Sequence, residues 1–199
     1  VAGFVLSQMH DRVVSGVVYE QRQQRMAADF RVPAPERIVK PGQPIAIMQS
    51  PDIELNEVVI EGDSIGNLRG GPARRTSSAM PGEPGQTVIL GHHRAYGGSF
   101  ARIGGLVPGN TIAIQTRNGG PIVAYVVRAV LADAEAGDVP EPEQGVAQLV
   151  LVTSDGGWSG GTRVVVVAST LPVIDSPRKV EAFGLDASDR GSPFGGEAL

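Results

Sequence analysis

LVLVTSDGGWSGGTRVVVVA, residues 149–168, decides the fold. It reads as strand, glycine-rich loop, strand: LVLVTS and TRVVVVA are runs of aliphatic and β-branched residues bounded by Gly and Asp. Ser154 and Arg163 stand at the two mouths of the loop. Working outward, the same kind of short run recurs along the chain. PIAIMQ (44–49), NEVVIEG (56–62), TVILGH (87–92), TIAIQTR (111–117) and PIVAYVVRAVLAD (121–133) are each bounded mostly by Gly, Pro, Asn or Asp. Seven such strands, separated by turn residues, predict a mainly β fold, a barrel or a sandwich. SIGNLRGG (64–71) and SFARIGGL (99–106) read as single helical turns between strands.

The flanks differ in character. Residues 4–30 carry apolar residues at helical spacing, and their second half is rich in Gln, Arg, Met and Ala. VPAPER and KPGQP then form a stiff proline-rich linker, and DASDRGSPFGGEAL (186–199) reads as a polar tail. The expected organisation is an N-terminal helix over 1–32, a linker over 33–43, a β domain over 44–175 and a tail over 176–199.

Composition narrows the function. The chain has 199 residues, a net charge of −4, 5% aromatics and no basic stripe, which argues against a nucleic-acid partner. It has no cysteine, so disulfides, zinc–thiolate sites and a cysteine nucleophile are excluded. A membrane span needs about 20 apolar residues. VAGFVL at the start supplies six, and is either the end of an anchor or a frayed terminus.

Three polar residues stand at strand ends, where sites are usually built. His92 follows TVILG and titrates near neutrality, so it can move a proton; the alternative is a structural or surface histidine. His93 would point to the opposite side if the strand continues, which makes the two a poor metal pair, and no carboxylate lies at zinc-like spacing. No metal is expected. Ser154 needs a base to become a nucleophile. Its setting is V-T-S-D-G, not the Gly-x-Ser-x-Gly elbow, and Ser before Asp-Gly-Gly is also ordinary turn chemistry. Asp155 would face away from Ser154 in an extended strand. Arg163 presents a planar fork of donors that suits an oxyanion or a peptide carbonyl; a surface ion pair is the alternative.

Together these features resemble the sortase family of Gram-positive cell-wall transpeptidases. In that family a Gly-His step ends one strand, a Thr-Leu-x-Thr-Cys run ends a later one, and an arginine opens the next. GEPGQTVILGHHRAYGGSF is similar to the histidine segment, and VLVTS (150–154) to the nucleophile strand. The interval from Ser154 to Arg163 resembles that of actinobacterial class E members, and PGNTIAI is similar to the family's Pro-Gly-Asp turn. The resemblance covers about residues 44–172. It implies a closed barrel of about eight strands, with His92 as the proton-transfer residue, position 154 as the nucleophile, and Arg163 steadying the substrate carbonyl or oxyanion. Thr153, Trp158 and Tyr96 would line the substrate site. Trp158 reads equally as a packing cap; Tyr96 and Phe100 read either as lining the groove beside His92 or as core residues that close the barrel, the second being the better reading for Phe100. No cofactor is required, though some members bind calcium. The implied location is the extracellular face of the cell membrane or the cell wall, with a membrane anchor beyond this stretch. The implied partner is a sorting-signal peptide of a surface protein, or an envelope protein.

The departure is Ser154 where the family carries cysteine. A thiol ionises near ~8.5, whereas an alcohol depends on a well-placed base. The site is therefore expected to be weakly active or inactive. The serine is either an engineered substitution or natural. The missing proline after it, and His93 where active members often carry arginine, favour a natural, degenerate site. The competing readings are an active peptidyl transferase or hydrolase, a non-catalytic module that binds a peptide or partner, and a structural spacer.

Overall fold

The computed structural model describes residues 2–31, 39–117, 120–134, 139–154 and 163–170, with side chains described over 16–30 of the N-terminal helix, to Thr153 in one central strand and from Val164 in the next. A long helix, α1 (Ala2–Arg31), precedes eight strands: β1 (Pro44–Ser50), β2 (Leu55–Glu61), β3 (Ala73–Arg74), β4 (Gly85–Leu90), β5 (Thr111–Thr116), β6 (Ile122–Ala132), β7 (Ala147–Ser154) and β8 (Arg163–Thr170). One short helix, α2 (Ile65–Leu68), lies between β2 and β3. The strands close into a barrel in the order β1-β2-β3-β4-β7-β8-β6-β5. The pairs β2–β3 and β4–β7 are parallel, and the remaining neighbours are antiparallel. The barrel is as expected. The expected strand TVILGH is shorter, because β4 ends at Leu90 and His92 and His93 lie beyond it. The two-residue β3 has too little sequence to show a period.

The barrel has an interior and an outer apolar face, and β7 and β8 serve both. Leu149, Leu151, Val166 and Ala168 point into the interior with Met48, Ile89, Ile112, Ile114, Phe100 and Tyr125. Val150, Val165 and Val167 join Val58, Ile60, Leu68, Val88 and Leu90 on the outer face, with Met26 of α1. Strands covered on both faces read as continuous apolar runs rather than alternating ones, which is why residues 149–152 and 164–168 carry no polar residue. Phe100 is fully buried in the interior, as read from the sequence.

Helix α1 lies on the barrel. Its row Tyr19, Met26 and Phe30 is buried, and Gln23 lies between them on the same face. Strand β3 pairs only with Ile60 and Glu61 of β2, so the rest of that edge lacks a neighbouring strand. Gln23 supplies the missing partner: Val58 N–H donates to its Oε1 at 2.8 Å, and its Nε2 donates to Gly70 O at 2.8 Å. A side-chain amide thus does for one residue what a neighbouring strand would do, and the open edge is blunted. Gly71 is glycine for this reason, since a Cβ there would fall 2.2 Å from Gln23 Nε2. Nearby, Tyr19 O–H donates to Glu57 Oε2 at 2.5 Å. Burial under α1 pushes the Glu57 carboxyl up to about 7, and raises the Tyr19 phenol as well. At the foot of the same edge, Arg74 meets Glu61 in a buried bidentate pair at 2.7 and 2.8 Å. No helix among the described residues is long and apolar enough to cross a membrane.

Candidate active site at one end of the outer face

The site is built by strand register. Parallel pairing aligns Leu90 of β4 with Val152 of β7. The ladder runs one step past the end of β4, because Gly91 N–H donates to Val152 O at 3.0 Å. Gly91 thereby stands beside Thr153, and His92 follows just past the paired end of β4. Antiparallel pairing then sets Ser154 opposite Arg163. Neighbouring strands lie about 4.8 Å apart, so the ends of β4, β7 and β8 lie within roughly 10 Å of one another. Position 154 continues the row of Val150 and Val152, and position 163 the row of Val167 and Val165, so both stand at one end of the outer apolar face. Three chain segments far apart in sequence, those of His92, Ser154 and Arg163, are brought to the same end of the barrel.

Local packing fixes the histidine. Phe100 turns back onto the Gly-His step: its N–H donates to His92 O at 2.9 Å, and a Cβ on Gly91 would meet its ring at 2.6 Å. Only glycine fits before His92. Thr153 is 1% exposed, and its hydroxyl donates to Gly91 O at 2.9 Å, tying the end of the histidine strand to β7. His92 Nε2 is buried and has no hydrogen-bond partner among the described residues. Burial lowers the basicity of His92, and the Arg69 cation adds to the effect, so both favour the neutral imidazole.

Tyr96 is half-buried with its ring 5.1 Å from that of His92, tilted by 51°. It sits at φ 48°, followed by Gly97 at 78° and Gly98 at 61°. For a tyrosine this left-handed conformation costs on the order of 1 kcal/mol, and it persists because the turn is packed from outside. Tyr19 of α1 supplies that packing, lying where a Cβ on Gly97 would be. The Arg69 guanidinium lies over Tyr96, 5.5 Å from the ring centroid. Arg69, Tyr19 and Gln23 had no signal as site residues. Their link to His92 runs through a turn and a helix packed on it, which local patterns do not show. Trp158 lies outside the described residues, and among those no group of residues could hold a metal ion.

The sortase-domain family profile matches residues 48–171, more than half of the chain. The chain belongs to the sortase family. Solved sortases share its fold. A sortase D5 transpeptidase from Clostridium perfringens is 23% identical with a TM-score of 0.64, covering 78% of this chain and 99% of that one. Sortase E from Streptomyces avermitilis is 22% identical with a TM-score of 0.56, covering 67% and 91%. Sortase E1 from Streptomyces coelicolor, solved with a tripeptide in its active site, is 20% identical with a TM-score of 0.55, covering 68% and 92%. No curated protein matches the chain. The barrel is thus a sortase-family transpeptidase fold, and the class E resemblance read from the interval between Ser154 and Arg163 has structural neighbours of that class.

Proposed function

We propose that the outer end of β4, β7 and β8 is a sortase-type peptidyl-transfer site, and that Ser154 makes it weakly active or inactive. The observation that supports this reading is the register that aligns Leu90 with Val152 and Ser154 with Arg163, which brings the strand ends that lead to His92, Ser154 and Arg163 together. In the active form of this chemistry the nucleophile at 154 attacks the carbonyl carbon of the scissile peptide bond. Arg163 stabilises the negative charge that develops on the carbonyl oxygen. The C–N bond then breaks, and His92 delivers a proton to the departing amine. A second amine attacks the acyl enzyme, loses a proton to His92, and releases the nucleophile. Thr153 serves as a brace for the histidine strand, and Tyr96 as one wall of the peptide groove. The partner is a sorting-signal peptide of a surface protein, at the outer face of the cell membrane or the cell wall.

With serine at 154, the first step depends on His92 as a base. The neutral imidazole with its unpartnered Nε2 suits that role. Two features oppose turnover: no carboxylate among the described residues pairs with His92, and an alcohol is a far weaker nucleophile than a thiolate. Stabilising a tetrahedral state that is rarely reached gives little rate. A non-catalytic peptide-binding module is the same groove with this step lost.

The test is incubation with a pool of LPxTG-like peptides and an amine acceptor, with masses read for peptides and intact protein. The parent chain is expected to give no ester and no product. Ser154→Cys is expected to form a thioacyl enzyme and a transpeptidation product, both abolished by Arg163→Ala. Turnover by the parent would overturn the inactive reading. Failure of the cysteine variant to bind or acylate on any peptide would overturn the site itself.

A further inference from the structure

Arg69 and Arg22 form a cationic corner beside His92 that the chemistry above does not use. Both are exposed. Arg69 lies on the face of Tyr96, whose ring is next to that of His92. Arg22 reaches from α1 over Gly70, where an added Cβ would be 2.4 Å from its Cζ. Among the described residues neither guanidinium has a carboxylate at ion-pair distance. Glu57, under the same helix, is engaged by Tyr19.

The corner is also rigidly built. Arg69 N–H donates to Ile65 O at 3.2 Å, and Gly70 O accepts from Gln23 Nε2 at 2.8 Å. Tyr96 sits at positive φ, with the Arg69 guanidinium 5.5 Å from its ring centroid. A charged fork fixed on an aromatic ring at the edge of a reaction site, with no acid of its own, suits a carboxylate from outside.

We propose that Arg69, assisted by Arg22, is a subsite for a carboxylate carried by one of the two substrates, the peptide or the amine acceptor. This rests on the reading of His92 as part of the reaction site. The corner adjoins the histidine, so a bound carboxylate is close to the proton-transfer step while the chain of the ligand continues along the outer face. Arg69 is a specificity residue on this account.

The test separates the two sources and the two readings. On the folded parent chain, ring and guanidinium NMR signals are followed while diglycine or its amide, glycylglycinamide, is added. In parallel, LPxTG-like peptides carrying Glu or Gln at one flanking position are titrated by fluorescence anisotropy. The expected result is that one carboxylate form binds about threefold to tenfold more tightly than its amide. That preference should disappear in Arg69→Gln, weaken with added salt, and shift the Arg69 and His92 signals. Preference for diglycine assigns the carboxylate to the acceptor, and preference for the Glu peptide assigns it to the sorting peptide. If acid and amide bind alike, if neither shifts the Arg69 signals, or if Arg69→Gln keeps the preference, the proposal falls. Ser154→Cys acting equally on uncharged substrates with and without Arg69 would show that the reaction site stands by itself. Carboxylate binding at Arg69 alongside an inert cysteine variant would show the reverse.

Discussion

Replacing Gln23 with alanine should loosen α1 and, through it, the loops at the site. The side chain accepts from Val58 N–H and donates to Gly70 O, both at 2.8 Å, on an edge that has no neighbouring strand. Val58 and Gly70 are buried, so removal leaves a donor and an acceptor without partners. Each orphaned group costs about 1–3 kcal/mol when water is excluded. Partial re-entry of water where Gln23 stood brings the pair to about 2–4 kcal/mol. For a domain of this size that corresponds to a fall in Tm of roughly 5–12 °C. Gln23→Glu keeps an acceptor for Val58 but sets a carboxylate against the Gly70 carbonyl, and should lose at least half as much. Thermal unfolding by circular dichroism gives the Tm, and amide hydrogen exchange locates the change. The Val58 amide should pass from protected to fast-exchanging while amides of β7 and β8 stay slow. A Tm within about 1 °C of the parent, with Val58 still protected, would refute the strand-surrogate account.

Three further predictions concern the bonds that hold the site. Thr153→Val removes the hydroxyl that binds Gly91 O; it should cost about 1–2 kcal/mol and, in the Ser154→Cys background, lower kcat more than it raises KM. Arg74→Ala strands the buried Glu61 carboxylate and should cost about 3–5 kcal/mol by denaturant unfolding, whereas replacing both partners with apolar residues of similar volume should be close to neutral. Glu57 has a folded-state value raised to about 7 from an ordinary 4.5, so its contribution to docking of α1 is fully present below about pH 4.5 and is lost as pH rises through 7. Glu57→Gln should flatten that dependence and raise the Tm at pH 8; an unchanged pH profile would contradict it.

Much of the barrel was legible because its strands are short apolar runs between turn residues. The runs at 149–152 and 164–168 are uninterrupted because both faces of β7 and β8 are covered, and that made them the clearest strands in the sequence. Two features were not legible. Ala73–Arg74 is a strand because it pairs with Ile60–Glu61 of β2 and Ile89–Leu90 of β4, and two residues carry no period. The strand expected to run to His92 stops at Leu90, because Phe100 closes over Gly91 and turns the chain away. The three polar strand ends were visible one by one, but their convergence depends on a parallel register between β4 and β7 that no local pattern encodes. The docking of α1 left a trace in the row Tyr19, Gln23, Met26 and Phe30. The role of Gln23 as an edge partner depends on how short β3 is. Arg69 comes near His92 and Tyr96 only by packing between loops.

The functional reading rests on His92 and position 154 standing side by side. The chain has no cysteine, so an introduced pair would be its only thiols. His92→Cys with Ser154→Cys should form an intramolecular disulfide under mild oxidation, since adjacent strands hold Cα atoms within the 4.4–6.8 Å that a disulfide spans. His92→Cys with Val150→Cys, about 13 Å further along β7, should not. The loss of two hydrogens in the intact mass, with the bridged peptide recovered after digestion, reports the bond. Bridging at 92 and 154 alone is the predicted result. No bridge there, or equal bridging in both variants, would contradict the register and the site built on it.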